Sequence, residues 1–116
     1  MSMITELKGL GADTDQAVSR FLNNEALYEK MLKKLPNSMK GTQVMEEIEH
    51  GNIDSAIEIA HTMKGILGNL SITPLYEDYT KIVALLREGN VDEAKSILTE
   101  SLPIEEQVVA CIEKYE

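Results

Sequence analysis

One histidine in this chain stands where its neighbours could give it chemistry to do. His61, Lys64, Gly65 and Gly68 fall at i, i+3, i+4 and i+7, which is a single stripe at the helical period. A glycine inside a helix costs roughly 0.5–1 kcal/mol relative to alanine, so two of them in successive turns ask for a reason. The side chains they remove are those that would flank the imidazole. An imidazole nitrogen is a nucleophile, and an ammonium one turn along can steady an anion attached to it. Histidine, neighbouring cation and clearance together describe a group that accepts a phosphoryl group from a second molecule. On this reading Gly65 and Gly68 should both accept leucine without loss of stability in the free protein.

The other chemistry open to His61 is metal binding. Glu58 and His61 form a Glu-x-x-His pair, and Glu47 with His50 forms a second; carboxylate-bridged di-iron bundles use two such pairs. Here Glu58 lies about 60° from His61 on the helical wheel, toward solvent, and His50 lies against a helix end at Gly51. No further carboxylates fall on core faces to complete a site. No metal and no cofactor is therefore expected in this chain. His50 reads as a C-terminal cation that complements the helix dipole when protonated.

The helix that carries the stripe should run from Ile53 to about Leu70. Ile53, Ala56, Ile57, Ala60, Met63, Leu67 and Leu70 form its apolar face. Gly51 ends the preceding helix in a left-handed turn and Asn52 starts this one. Gly89-Asn90 repeats the device, with Glu93 completing a capping box before a last helix from Val91 that Pro103 should kink or break. Thr73 as cap and Pro74 as first helical residue open a helix to Glu88. Upstream, Asp13 with Gln16 opens a helix to about Leu22, Asn24 caps one over 25–35, Pro36 interrupts, and 38–50 is helical again. Sustained period-2 alternation is absent, so no strands are expected. The similarity between 51–56 and 89–94 is two uses of one helix-turn-helix device, since a solenoid needs about three or more repeats.

The expected fold is all-α: an antiparallel, up-down-up-down four-helix bundle with short additional N-terminal helices, forming a single domain over 1–116. Hydrophobic residues make up 43% of the 116 and aromatics only 4%, so the core should be aliphatic. Twenty acidic against 11 basic residues give a net charge of −9, which disfavours nucleic acid and anionic membranes as partners. The single Cys111 allows no intramolecular disulfide. The longest apolar run, 82–86, is far short of the roughly 20 residues that span a bilayer. The stretch 1–6 has no basic region followed by an apolar one, so no signal peptide is expected, and a cytoplasmic location is.

The segment Ala60-His61-Thr62-Met63-Lys64-Gly65-Ile66-Leu67-Gly68-Asn69-Leu70 resembles the signature of histidine-containing phosphotransfer (HPt) domains. There an Ala-His-x-Leu-Lys-Gly stretch is followed by a small residue, Asn or Ser, and an apolar position. Residues 21–32 are similar to that family's passage from first to second helix, and 85–94 to its final turn. The chain departs from the family's pattern at Ser71, often Gly, at Ile72, often Ala, and at Asp78, more often apolar. Val83 stands where several members carry a Gln near the histidine.

The resemblance implies that His61 is phosphorylated and that Lys64 steadies the phosphoryl group. It implies that Gly65 and Gly68, with Thr62 and Asn69 beside them, form the face that a partner's active site approaches. The partner would be a receiver domain of a response regulator or of a hybrid sensor histidine kinase, which brings the aspartyl phosphate and its Mg²⁺. The chain has no Gly-rich nucleotide loop and no Asn/Asp/Gly set for ATP, so it would be a monomeric phosphocarrier without autokinase activity rather than an enzyme. The competing expectation is a helical interaction module that binds a signalling partner without phosphotransfer.

Overall fold

A computed structural model of the chain describes residues 2–115; Met1, the first residue of the leading stretch considered above, and Glu116 lie outside it. Among the described residues there are seven α-helices and no strand: α1 Met3–Gly9, α2 Thr14–Arg20, α3 Glu25–Leu32, α4 Gly41–Glu49, α5 Ile53–Asn69, α6 Thr73–Arg87 and α7 Val91–Glu113. A 3₁₀ turn, Leu35–Ser38, stands where Pro36 removes an amide donor. It absorbs residues that the sequence pattern assigns to the flanking helices, so α3 ends at Leu32 and α4 begins only at Gly41. Among the described residues no helix is long and apolar enough to cross a membrane.

The helix ends follow local chemistry. The Asp13 carboxylate accepts from the Gln16 amide at 3.1 Å and the Asn24 side chain from the Leu27 amide at 3.0 Å. Gly51 and Gly89 take φ of 79° and 83°, the left-handed conformation that closes α4 and α6. Asn52 and Asn90 hold the N-cap positions but make no side-chain capping bond, so the box expected with Glu93 does not form. At the start of α6 the cap is Ile72, one residue earlier than expected, and Thr73 is already helical. α7 runs past Pro103 without a break. Pro103 and Thr99, whose carbonyl loses its donor there, are both exposed residues.

α5 packs along α6 and against α4; α6 packs along α7; and α7 reaches back to α4 and α1. The core between them is largely aliphatic, yet Tyr28 and Tyr79 are its two largest fully buried side chains. Both are accommodated because each hydroxyl has an acceptor: Tyr28 donates to the Leu70 carbonyl at 2.8 Å and Tyr79 to the Glu105 carboxylate at 2.7 Å.

Glu105 is itself buried, at 4% exposure, and fastens α7 to the start of α4. This corrects the expectation that no further carboxylate falls on a core face; the Tyr79 hydroxyl makes its burial tolerable. The N-cap of α4, Lys40, offers no capping side chain, and its first turn holds no acid. The Glu105 carboxylate supplies both from another helix by accepting from the Gly41 amide. Gly41 is required by this approach. A Cβ there would collide with the Glu105 carboxylate and lie 2.7 Å from both Leu102 and the Tyr79 hydroxyl. Nearby, Asp78 accepts from Ser101 at 2.7 Å, which gives a polar residue a partner at a position where the resembling family favours an apolar one.

Candidate functional site

The α5 pattern folds as its periodicity requires. Ala56, Ala60, Met63, Leu67 and the C-cap Leu70 are buried, and the stripe containing His61 is turned outward. His61, Thr62, Gly65 and Asn69 are exposed, whereas Lys64 and Gly68 are half-buried. Among the described residues, neither the His61 imidazole nor the Lys64 ammonium has a hydrogen bond or ion pair. Thr62 donates its hydroxyl to the Glu58 carbonyl at 3.0 Å, a bond within its own helix. His50 is the C-cap of α4 and exposed, with no cation or glycine stripe beside it.

The two glycines of the stripe differ. At Gly65 an added Cβ would meet nothing within 4 Å, so the backbone beside His61 is open. At Gly68 it would lie 2.8 and 2.9 Å from Cε1 and Cδ1 of Tyr76 on α6. The space beside Gly68 is therefore not open as it is beside Gly65. It seats the ring of Tyr76, itself 37% exposed. The expectation that leucine fits equally well at both positions fails at Gly68 for that reason. Gly68 also stands one residue before the end of α5 rather than well inside it.

The C-terminal end of α5 is tied to the N-terminal helices by contacts that spacing alone could not reveal. Arg20 of α2 donates to the Gly68 carbonyl at 3.2 Å, the Asn69 carbonyl at 2.6 Å and the Ser71 hydroxyl at 3.1 Å. A cation at the carbonyl end of a helix is favourable for both hydrogen bonding and the dipole. The Ser71 hydroxyl donates in turn to Gln16 at 2.9 Å. Ser71 has φ of 56°, a left-handed conformation that favours glycine; here two polar partners, Arg20 and Gln16, hold the serine hydroxyl. Val83 is buried in the core, so α6 offers no amide at that position to a group on His61.

Two clefts flank α5 on the side of Thr62. One, of about 330 Å³, lies between Lys40, Asn37 and the α5 residues Glu58, Thr62 and Ile66. The other, of about 230 Å³, is lined by Lys34, Ile66 and Asn69 among others. Family models, curated proteins and solved structures offer no match to the chain. Its chemistry has to be argued from these residues. Among the described residues no three His, Cys, Asp or Glu side chains gather as a metal site would need; Glu58 and His61 stand without a third ligand.

Proposed function

We propose that this chain is a histidine phosphotransfer protein that carries a phosphoryl group between aspartate-bearing receiver domains. The observation that carries the reading is an exposed His61 without an intramolecular partner, with Lys64 one turn along and open backbone at Gly65. A histidine held for structure has its nitrogens satisfied from within; this one leaves both to the outside. In the same proposal, α4 to α7 form an antiparallel up-down-up-down four-helix bundle, with α1 to α3 over one end. Three-residue connections at 50–52, 70–72 and 88–90 support it, because so short a link turns the chain straight back.

An imidazole nitrogen of His61 attacks the phosphorus of the receiver's aspartyl phosphate in line. The P–N bond forms as the P–O bond breaks, the aspartate leaves as a carboxylate, and the ring gives up its other proton to solvent. Lys64 holds the negative charge on the transferred group, and the missing side chain at Gly65 lets the two centres meet. The receiver brings its own Mg²⁺. The return reaction on a second receiver uses the same geometry. The whole step depends on positioning and charge, and the chain acts as a monomeric cytoplasmic carrier.

The test is incubation with phosphorylated receiver domains, followed by detection of acid-labile phosphate on this chain. His61→Gln should abolish the label and His50→Gln should leave it intact. Label on the His61→Gln protein at the wild-type level would refute the assignment. A receiver bound tightly but never exchanging phosphate would favour a helical interaction module.

A further inference from the structure

Charge in this acidic chain is unevenly placed. From residue 30 to 45 there is no Asp or Glu but four lysines, Lys30, Lys33, Lys34 and Lys40. From 59 to 76 there is again no Asp or Glu, and His61 and Lys64 lie there. The fold sets these two acid-free segments side by side. Lys40 shares the larger cleft with Thr62 and Ile66, and Lys34 shares the smaller one with Ile66 and Asn69. Arg20 joins them at the Gly68 and Asn69 carbonyls. Lys34, Lys40 and Arg20 are exposed, and among the described residues none is paired with a carboxylate. Among the described residues Glu58, one turn before His61, is the one carboxylate that lines the larger cleft together with Lys40. On the α5 wheel His61 and Gly65 lie between Lys64 on one side and Thr62 and Ile66 on the other. Lys64 thus lies on one side of the His61–Gly65 strip and the clefts of Lys34 and Lys40 on the other, on a molecule whose net charge is −9.

We infer that Lys34 and Lys40, alongside the C-terminal half of α5, form a steering and docking element for the acidic face of a receiver domain. The inference rests on the phosphotransfer reading and names what that reading leaves open, the surface that selects the partner. A receiver fits by charge, because its reacting centre is an aspartate that holds a divalent cation among carboxylates. A long polyanion fits poorly, because the rest of a chain of net charge −9 would repel what extends beyond the patch. Such a surface acts mainly on the rate of encounter, and salt weakens it.

The test compares wild type with Lys34→Glu/Lys40→Glu, using the fastest phosphodonor from a panel of phosphorylated receivers, across a range of salt. The double variant should lose about tenfold or more in second-order transfer rate at low salt, and its salt dependence should flatten. Labelling of His61 by phosphoramidate, a small donor that needs no docking, should stay unchanged. Lys34→Gln/Lys40→Gln should show an intermediate loss, which guards against misfolding of the reversed protein. Unchanged receiver transfer with intact phosphoramidate labelling would overturn the docking inference and leave phosphotransfer standing. No label on His61 from either donor would overturn both. Lysine-dependent retention on phosphatidylserine vesicles or single-stranded DNA would overturn it in favour of those anions.

Discussion

His61 on α5 and Glu105 on α7 are both polar side chains in the middle of long helices, and the fold treats them in opposite ways. Around Glu105 the partners are supplied from within: a hydroxyl from Tyr79 and an amide from Gly41, with the residue itself only 4% exposed. Around His61 nothing is supplied, and the imidazole stands in solvent beside an ammonium and a bare stretch of backbone. A buried polar group without partners costs about 1–3 kcal/mol, so the closed arrangement at Glu105 is what stability demands. The open arrangement at His61 adds nothing to stability and leaves the imidazole accessible to a second molecule, which is what the proposed phosphotransfer requires. The glycines repeat the contrast. Gly41 is bare because three of the protein's own groups fill the space, and Gly65 is bare with nothing there at all.

The sharpest way to break this comparison is to exchange the consequences of mutation between the two regions. His61→Gln should remove all phosphate acceptance and leave the melting temperature where it was. Gly41→Leu should do the reverse: a loss of about 1–3 kcal/mol, read from urea melts, because its side chain must displace Glu105, Leu102 and Tyr79 together. A Gly41→Leu protein as stable as wild type would mean that the junction is soft and that α4 is not capped from α7.

A smaller effect separates the regions by pH. Burial holds the Glu105 carboxyl above its usual value of 4.5, against the opposing pull of the Tyr79 hydroxyl and the Gly41 amide. The folded state then binds the proton more tightly than the unfolded chain does. Glu105 thus contributes most below pH 4.5, and its contribution falls as pH rises through the folded value. Against Glu105→Gln, which cannot titrate, wild type should lose stability across that window by at most about 1.4 kcal/mol per pH unit. Glu6, held below the usual carboxylate range by its bond to Lys114, acts in the opposite direction, so the difference between the two proteins is the quantity to measure. A difference that stays flat from pH 4 to 8 would show that Glu105 titrates as an ordinary surface acid.

These particulars explain how far the sequence could be read. Signals contained within one turn were legible: the Asp13 and Asn24 caps, the left-handed Gly51 and Gly89, and the division of α5 into a buried face and the His61 stripe. What depended on another helix was not. Pro103 suggested a kink or a break because proline removes a donor; the helix runs through it unbroken, and the packing of α7 along α6 and α4 that keeps it together is a tertiary fact. The buried Glu105 did leave a trace. Ala94, Leu98, Ser101, Glu105, Val108 and Ile112 follow spacings of 4, 3, 4, 3 and 4, a core stripe with two polar members, and polar residues on such a stripe need partners. The pairing of Gly68 with Tyr76 was half legible: a glycine inside a helix asked for a reason, but nothing in the spacing pointed to a ring on the next helix.

The smallest effect expected lies in that pair, and it bears most directly on what a bare position means. Gly65→Ala meets no neighbour, so it should stabilise the free protein by about 0.5–1 kcal/mol through helix propensity alone. That gain should be the same whether residue 76 is Tyr or Ala. Gly68→Ala would place its methyl within 3 Å of the Tyr76 ring and must push it aside, so in the wild-type background it should be neutral or destabilising. In a Tyr76→Ala background the obstruction is gone and the same substitution should stabilise, by less than at Gly65 because the last turn of α5 gains less from propensity. A double-mutant cycle should therefore give a coupling of about 1 kcal/mol between residues 68 and 76, and none between 65 and 76. If 68 and 76 prove uncoupled, the ring is a loose neighbour that moves aside freely. Clearance for an approaching partner then returns as the explanation for Gly68 as well as for Gly65, and the bare surface beside His61 extends two turns rather than one.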